Sequence, residues 1–167
     1  VVPVDRLGDW LPNPVAGAWM GRGQHAVTYL LRQGKLANLV AVVEREDWTD
    51  ESWSQEGSKE EIMRDFRGWH PTITHLIEKA DTLHKWALFD RLPLKTWTEG
   101  RAALMGDAAH PMLPFMAQGA AMAIEDAWTL AAMLSQIECV DDGLKAYQEK
   151  RYDRASRVQA GSRANAK

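Results

Sequence analysis

Hydrophobic positions change their spacing along the chain, and each change predicts an element. Residues 25–32 and 35–46 are rich in valine, leucine and tyrosine and read as two strands, the second largely buried. Gln33-Gly34 between them reads as a hairpin turn, because glycine accepts positive φ. Val1 to Leu7 reads as a short apolar strand, followed by a proline-bearing loop to residue 17. Residues 47–57 read as a polar loop. From Ser58 the period becomes helical. Ser58 and Glu61 have capping-box spacing, and Ile62, Met63 and Phe66 form the stripe of a helix to about Trp69. Pro71 opens a second helix carrying Ile73, Leu76, Ile77 and Ala80. Residues 86–91 and 101–105 read as strands, the latter stopping at Gly106. Gly119 to Gln136, with six alanines, reads as a helix. Asp141 or Asp142 caps a final helix running through Tyr147 toward Arg157, with residues 160–167 frayed.

One short pattern competes with this reading. Gly21-Arg22-Gly23-Gln24-His25-Ala26 fits the glycine spacing of a dinucleotide-binding turn, and Glu44 follows at the distance of a ribose-binding acid. Against it, Ala18-Trp19-Met20 is a poor strand, and Val27, Thr28 and Tyr29 prefer β structure to the helix the pattern needs. A Rossmann-type nucleotide module over 21–44 is therefore the weakest of three readings.

Composition narrows the class. The chain has 167 residues, 46% of them hydrophobic and 26% charged, an ordinary globular mixture. A net charge of −3 gives no electrostatic footprint for nucleic acid. The lone Cys139 forbids an intrachain disulfide and fits a reducing, cytoplasmic setting. No apolar run is long enough to span a membrane. Val1 to Leu7 lacks the form of a secretion signal. The absent starting methionine points to a chain that begins partway through a longer protein. His70, His75 and His84 lack metal-ligand spacing, so no metal is expected. Glu149-Lys150-Arg151 and Arg154 to Arg157 read as a solvated helix face.

Residues 101–131 carry the chemistry. A strand ends in Gly106-Asp107, a loop holds Pro111 and Pro114, and a small-residue helix starts at Gly119. Strand ends and helix N-termini are where α/β folds bind ligands. Asp107 would accept hydrogen bonds from ligand hydroxyls, and Gly119, Ala120 and Ala121 would let a flat ligand approach the backbone. The plainer reading stays open: Asp107 capping a turn, and alanines packing a core.

The run Gly106-Asp107-Ala108-Ala109-His110-Pro111-Met112-Leu113-Pro114-Phe115, with Gln118-Gly119-Ala120-Ala121-Met122-Ala123-Ile124-Glu125-Asp126-Ala127, resembles the flavin-contacting motif of class A FAD-dependent aromatic monooxygenases. The likeness is to the salicylate hydroxylase and hydroxybenzoate hydroxylase group, and it covers nearly the whole chain. It implies a C-terminal portion of α/β class. Residues 1–98 would be a mixed substrate-side sheet with helices. Residues 99–167 would be a strand–loop–helix unit against FAD plus a terminal helix. The N-terminal Rossmann-like unit and the middle Asp-Gly motif of that family are absent.

The resemblance assigns Gly106, Asp107, Pro111, Gly119, Ala120 and Ala121 to FAD, with Asp107 on the ribityl chain and the helix start at the flavin pyrimidine edge. Tyr29, Pro114 and Phe115 would line the substrate pocket. His25 and Gln118 are the catalytic candidates, and His110 is open between base and loop support. The implied reaction hydroxylates a phenolic or aromatic carboxylate substrate through a flavin C4a-hydroperoxide, with O₂ and NAD(P)H. The implied partner is the missing N-terminal FAD-binding half, and a homo-oligomer stays open. The isolated chain is expected to bind FAD weakly and to be inactive. The alternative is a non-catalytic module that packs against a partner or binds small aromatics.

Overall fold

The computed structural model describes residues 1–11, 15–45 and 55–166. The fold is mixed α/β, with antiparallel sheets, and divides into a unit Val1–Ala87 and a unit Leu88–Lys167. That division falls before the 98/99 boundary that the resemblance implies.

The first unit is built on a four-stranded sheet in the order β1-β4-β3-β2, comprising β1 (Val2–Pro3), β2 (Ala16–Gly21), β3 (Gln24–Leu31) and β4 (Leu36–Val43). The β3–β4 hairpin lies where the valine-rich runs predict it. Its turn is centred one residue earlier than expected. Gly34 N–H donates to Leu31 O at 3.1 Å across Arg32 (φ 50°) and Gln33 (φ 57°), inside a four-residue loop closed by the Leu31↔Leu36 pair. β4 is mostly half-buried, with Ala37 its buried residue, rather than largely buried. The expected strand over residues 1–7 shrinks to β1, and the chain then coils through two short 3₁₀ turns.

β2 overturns the sequence expectation of a loop and a poor strand. Its alanines and glycines have weak β propensity, but it pairs with β3 from Ala16↔Tyr29 to Gly21↔Gln24, so tertiary pairing overrides propensity. Gly21 is needed for packing: a Cβ there would lie 2.6 Å from the Trp69 ring. Gly21 and Gln24 bracket the Arg22-Gly23 turn of a hairpin, with Gly23 at φ 67°. The dinucleotide pattern is thus a β-turn, and the strand at 24–31 excludes the helix that a Rossmann reading requires.

Alternation puts Ala26 and Thr28 on one face of β3, where both are buried. That face packs on α1 (Lys59–Asp65) and α2 (Pro71–Lys79) through Phe66, Ile73 and Ile77, each worth about 1.5–3 kcal/mol on burial. Ser58 Oγ accepts from Glu61 N–H at 3.2 Å, as the capping spacing predicts. The Glu61 carboxylate is engaged elsewhere, with Lys85 Nζ at 2.7 Å and Arg45 at 2.9 Å. α1 stops at Asp65, short of Trp69, and the chain turns through Gly68 at φ 80°. His70 Nδ1 caps α2 by accepting from Thr72 N–H. Most of the loop expected over 47–57 lies outside the described residues. Beyond it, β5 (Gln55–Glu56) pairs with β6 (His84–Lys85).

In the second unit and just before it, the two expected strands are corrected. Residues 86–94 form no regular element. Their backbone is held by side chains instead: Gln159 Nε2 donates to Arg91 O at 2.9 Å, and Arg163 pairs with Asp90. Residues 101–105 supply only β8 (Ala102–Ala103), paired with β7 (Thr98–Glu99). Leu104 and Met105 are 40% and 41% exposed, so this is no buried strand. α3 (Gly119–Gln136) matches its predicted limits. α4 (Val140–Ala164) starts at the Cys139 cap, before the expected Asp141 or Asp142, and stays helical where fraying was expected. Buried Gln159 and Ser162 and the Arg163–Asp90 pair hold its last turns. The core here is Trp97, Ala109, Met133, Tyr147 and Ala155.

Candidate functional site

The second unit gathers nine of the expected site residues on one continuous loop and helix start. Gly106 opens it at φ 59°, and its carbonyl accepts from both Ala109 N–H and His110 N–H at 2.9 Å. A Cβ at Gly106 would lie 3.2 Å from Ala123 Cβ, so glycine lets the turn lie close against α3. Asp107 is displayed at the apex of this turn, exposed to solvent. Its Oδ1 lies 3.7 Å from where a Cβ on Gly119 would be. The carboxylate therefore stands beside the first residue of α3.

The loop between is fixed at intervals. Pro111 O accepts from Gln159 Nε2 at 2.7 Å, and Leu113 is buried. Pro114, exposed, and Phe115, half-buried, form a 3₁₀ turn that ends at Ala117 with φ 51°. Gln118 is the N-cap of α3, and its side chain makes no capping hydrogen bond. The amides of Gly119, Ala120 and Ala121 thus start a helix of 18 residues without a side-chain acceptor from the cap. Their partial positive charge is directed at whatever lies beyond the helix end.

His25 and Tyr29 belong to the first unit. Both are on β3, on the face opposite Ala26 and Thr28. His25 is registered between Met20 and Val42, and Tyr29 between Ala16 and Asn38. The two are half-buried on a mostly apolar surface.

A buried polar cluster behind the loop was missed by sequence reasoning. Asp126, fully buried, accepts from Gly106 N–H at 2.9 Å and meets His110 Nε2 at 2.6 Å through Oδ2. Its Oδ1 accepts from Arg151 Nε at 2.7 Å. Arg151, read as part of a solvated face, is 4% exposed and also donates to Glu125 Oε2 at 2.6 Å. His110 therefore supports the loop from inside. A signal was present: Asp126 interrupts the buried stripe Met122–Met133 of α3, and Arg151 the stripe Leu144, Tyr147, Ala155 of α4. A charge in a buried stripe calls for an opposite charge in the facing one. Burial, and secondarily the charge of Asp126, pushes the Tyr147 hydroxyl well above the ordinary phenol range. That hydroxyl donates to Leu104 O at 3.1 Å.

Arg154 first, then Arg151, hold the Glu125 carboxyl down at about 2. The folded value lies below the unfolded one, so this stabilisation is complete above pH 4.5 and is lost as pH falls toward 2. Glu125→Gln is expected to flatten the loss of stability over that window, followed by circular dichroism in denaturant. Identical acid profiles for parent and variant would refute it.

Among the described residues no helix is long and apolar enough to cross a membrane.

A family model described as an FAD binding domain matches residues 5–162. The chain is 40% identical over 165 residues to 3-amino-4-hydroxybenzoate 2-monooxygenase PtnB3 of Streptomyces platensis, covering 98% of this chain and 41% of that protein. It is 42% identical over 159 residues to 6-hydroxynicotinate 3-monooxygenase of Pseudomonas fluorescens, covering 93% and 41%. A salicylate hydroxylase solved as a substrate complex superposes with a TM-score of 0.76 at 33% identity, over 90% of this chain and 39% of that one. The chain thus spans about 41% of the length of the curated relatives it matches.

The loop residues fit the cofactor of that family. A flavin dinucleotide offers hydroxyl donors on its ribityl chain and a ring edge that becomes anionic on reduction. Asp107 is an exposed acceptor for the first. The uncapped amides of Gly119 to Ala121 suit the second, and no side chain on Gly119 blocks approach.

Proposed function

This chain belongs to the family of FAD binding domains, and on that premise we propose that it forms the C-terminal, substrate-side part of an aromatic monooxygenase. One observation carries the reading: an exposed Asp107 carboxylate beside the uncapped start of α3, on a loop pinned at Gly106, His110 and Pro111. FAD, reduced by NAD(P)H, would supply the oxygen-activating chemistry toward O₂. Asp107 binds ribityl hydroxyls. The α3 amides neutralise charge at the pyrimidine edge of the ring system. Pro114 and Phe115 cover the reacting ring and help exclude water, while Gln118 offers one polar contact there. His25 takes the phenolic proton of the substrate, since a phenolate is the more reactive ring. Tyr29 orients the substrate from the same strand face. The substrate class is a phenol or hydroxylated aromatic carboxylate.

The partner is the remaining, N-terminal portion of a longer protein. α3 supports this: besides its buried stripe it shows a second apolar face, with Ile124 71% and Trp128 79% exposed. A helix apolar on both sides is a buried helix, so a further surface covers it.

The test is an FAD titration of the isolated 167-residue chain, of the full-length protein and of its Asp107→Ala variant. The full-length protein is expected to bind FAD stoichiometrically, the variant about tenfold or more weaker, since a charge-assisted hydrogen bond is worth about 1.5–3 kcal/mol. The isolated chain should bind weakly. Tight stoichiometric binding by the isolated chain, or a full-length protein without flavin, would overturn the proposal.

A further inference from the structure

We propose that Asp126 is a positioning residue for the cofactor-facing loop, acting through Gly106 and His110; this inference rests on the flavin-site reading above. The two residues it holds lie on either side of Asp107. One oxygen, Oδ2, accepts Gly106 N–H at 2.9 Å and faces His110 Nε2 at 2.6 Å. The turn that displays Asp107 is therefore clasped at both ends by a single carboxylate from the second turn of α3. The carboxylate is in turn fixed by Arg151 Nε on Oδ1 at 2.7 Å. Asp126 is fully buried, so its oxygens have no water to fall back on.

The same helix supplies both the clasp and the uncapped amides. Asp126 belongs to α3, whose first residues are Gly119, Ala120 and Ala121. Displacing the 106–110 turn would move Asp107 relative to those amides. A shift on the order of 1 Å at such a site costs binding and orientation far more than it costs folding. Charge is balanced around the clasp: Asp126 and Glu125 face Arg151 and Arg154. Besides its ring contact with Trp97, the His110 side chain contributes one hydrogen bond, at Nε2, while its buried Nδ1 has no hydrogen-bond partner. What the clasp needs from position 110 is thus one donor of the right reach, and glutamine can provide it.

Asparagine cannot replace Asp126. An amide is a donor on one side, and here both oxygens face donors, so either rotamer sets the amide nitrogen against at least one N–H group. Asp126→Asn is accordingly the strongest variant, and it risks misfolding. The decisive pair is His110→Phe, which fills the volume without a donor, against His110→Gln, which restores one.

The experiment measures FAD affinity, the near-UV and visible circular dichroism of the bound flavin, and thermal midpoints, all in the full-length protein. His110→Phe is expected to weaken FAD about tenfold or more and to alter the flavin dichroism, with His110→Gln returning both to within about threefold of the parent. The inference is overturned by FAD affinity and dichroism in His110→Phe that match the parent, whatever its midpoint. It is equally overturned if His110→Gln fails to recover either. Should the parent protein bind no FAD, the flavin-site reading itself fails, which separates that failure from failure of the clasp.

Discussion

Arg151→Met is expected to destabilise the second unit by about 3–5 kcal/mol, because it leaves a buried carboxylate without its cation. Methionine roughly replaces the aliphatic stem of arginine, so little packing is lost. What disappears is the guanidinium that serves Asp126 Oδ1, Glu125 Oε2 and the Met122 carbonyl at once. Asp126 keeps Gly106 N–H and His110, but its charge is then opposed by no cation at a position with no solvent exposure. The expected fall in thermal midpoint is roughly 12–40 °C for a unit of this size. Arg154→Met is the control. Its side chain is 51% exposed, so solvent screening leaves its pair with Glu125 less to contribute than the buried pairs of Arg151. Denaturant unfolding of the two variants beside the parent decides the matter. Equal stability of both variants would mean that burial at Arg151 does not strengthen its pairs.

In the full-length protein, His25→Ala is expected to lower the rate of substrate hydroxylation about a hundredfold while FAD binding is unchanged. His25 lies between Met20 and Val42 on the β3 face that turns away from α1 and α2. It is therefore not part of that helix-packed core, and its removal should leave the sheet intact. The expected signature is a fall in kcat at unchanged FAD affinity. Tyr29→Phe should change KM more than kcat, as befits an orienting group. An unchanged hydroxylation rate in His25→Ala would remove His25 from the proposed reaction without bearing on the proposed flavin contacts of the second unit.

The elements most legible in the sequence were those with a strong local period. The valine-rich runs around Gln33-Gly34 form β3 and β4, and the stripes from Ile62 to Ile77 form α1 and α2. The alanine-rich run forms α3 between the limits its composition indicates. Segments whose state depends on partners were misread. Ala16 to Gly21 becomes a strand because β3 offers it a continuous ladder, and residues 86–91 are irregular, with the Arg91 carbonyl met by Gln159 and Arg163 from α4. The loop and helix start from Gly106 to Ala121 stood out in the sequence because their parts are contiguous. The clasp was not, because its donors and acceptor come from three separate stretches of chain.

Residue order alone therefore determined the mixed α/β class, the β3–β4 hairpin, the limits of α3 and the family motif around Asp107. These depend on side-chain period, turn chemistry and contiguous signals, all of which act over a few residues. Only the tertiary structure decided that Gly21-Arg22-Gly23 is a hairpin turn, that Arg151 is buried, and that Asp126 holds both ends of the 106–110 turn. Those outcomes rest on pairing and desolvation between segments far apart in sequence, where a buried charge is tolerated only once its partner has been brought to meet it.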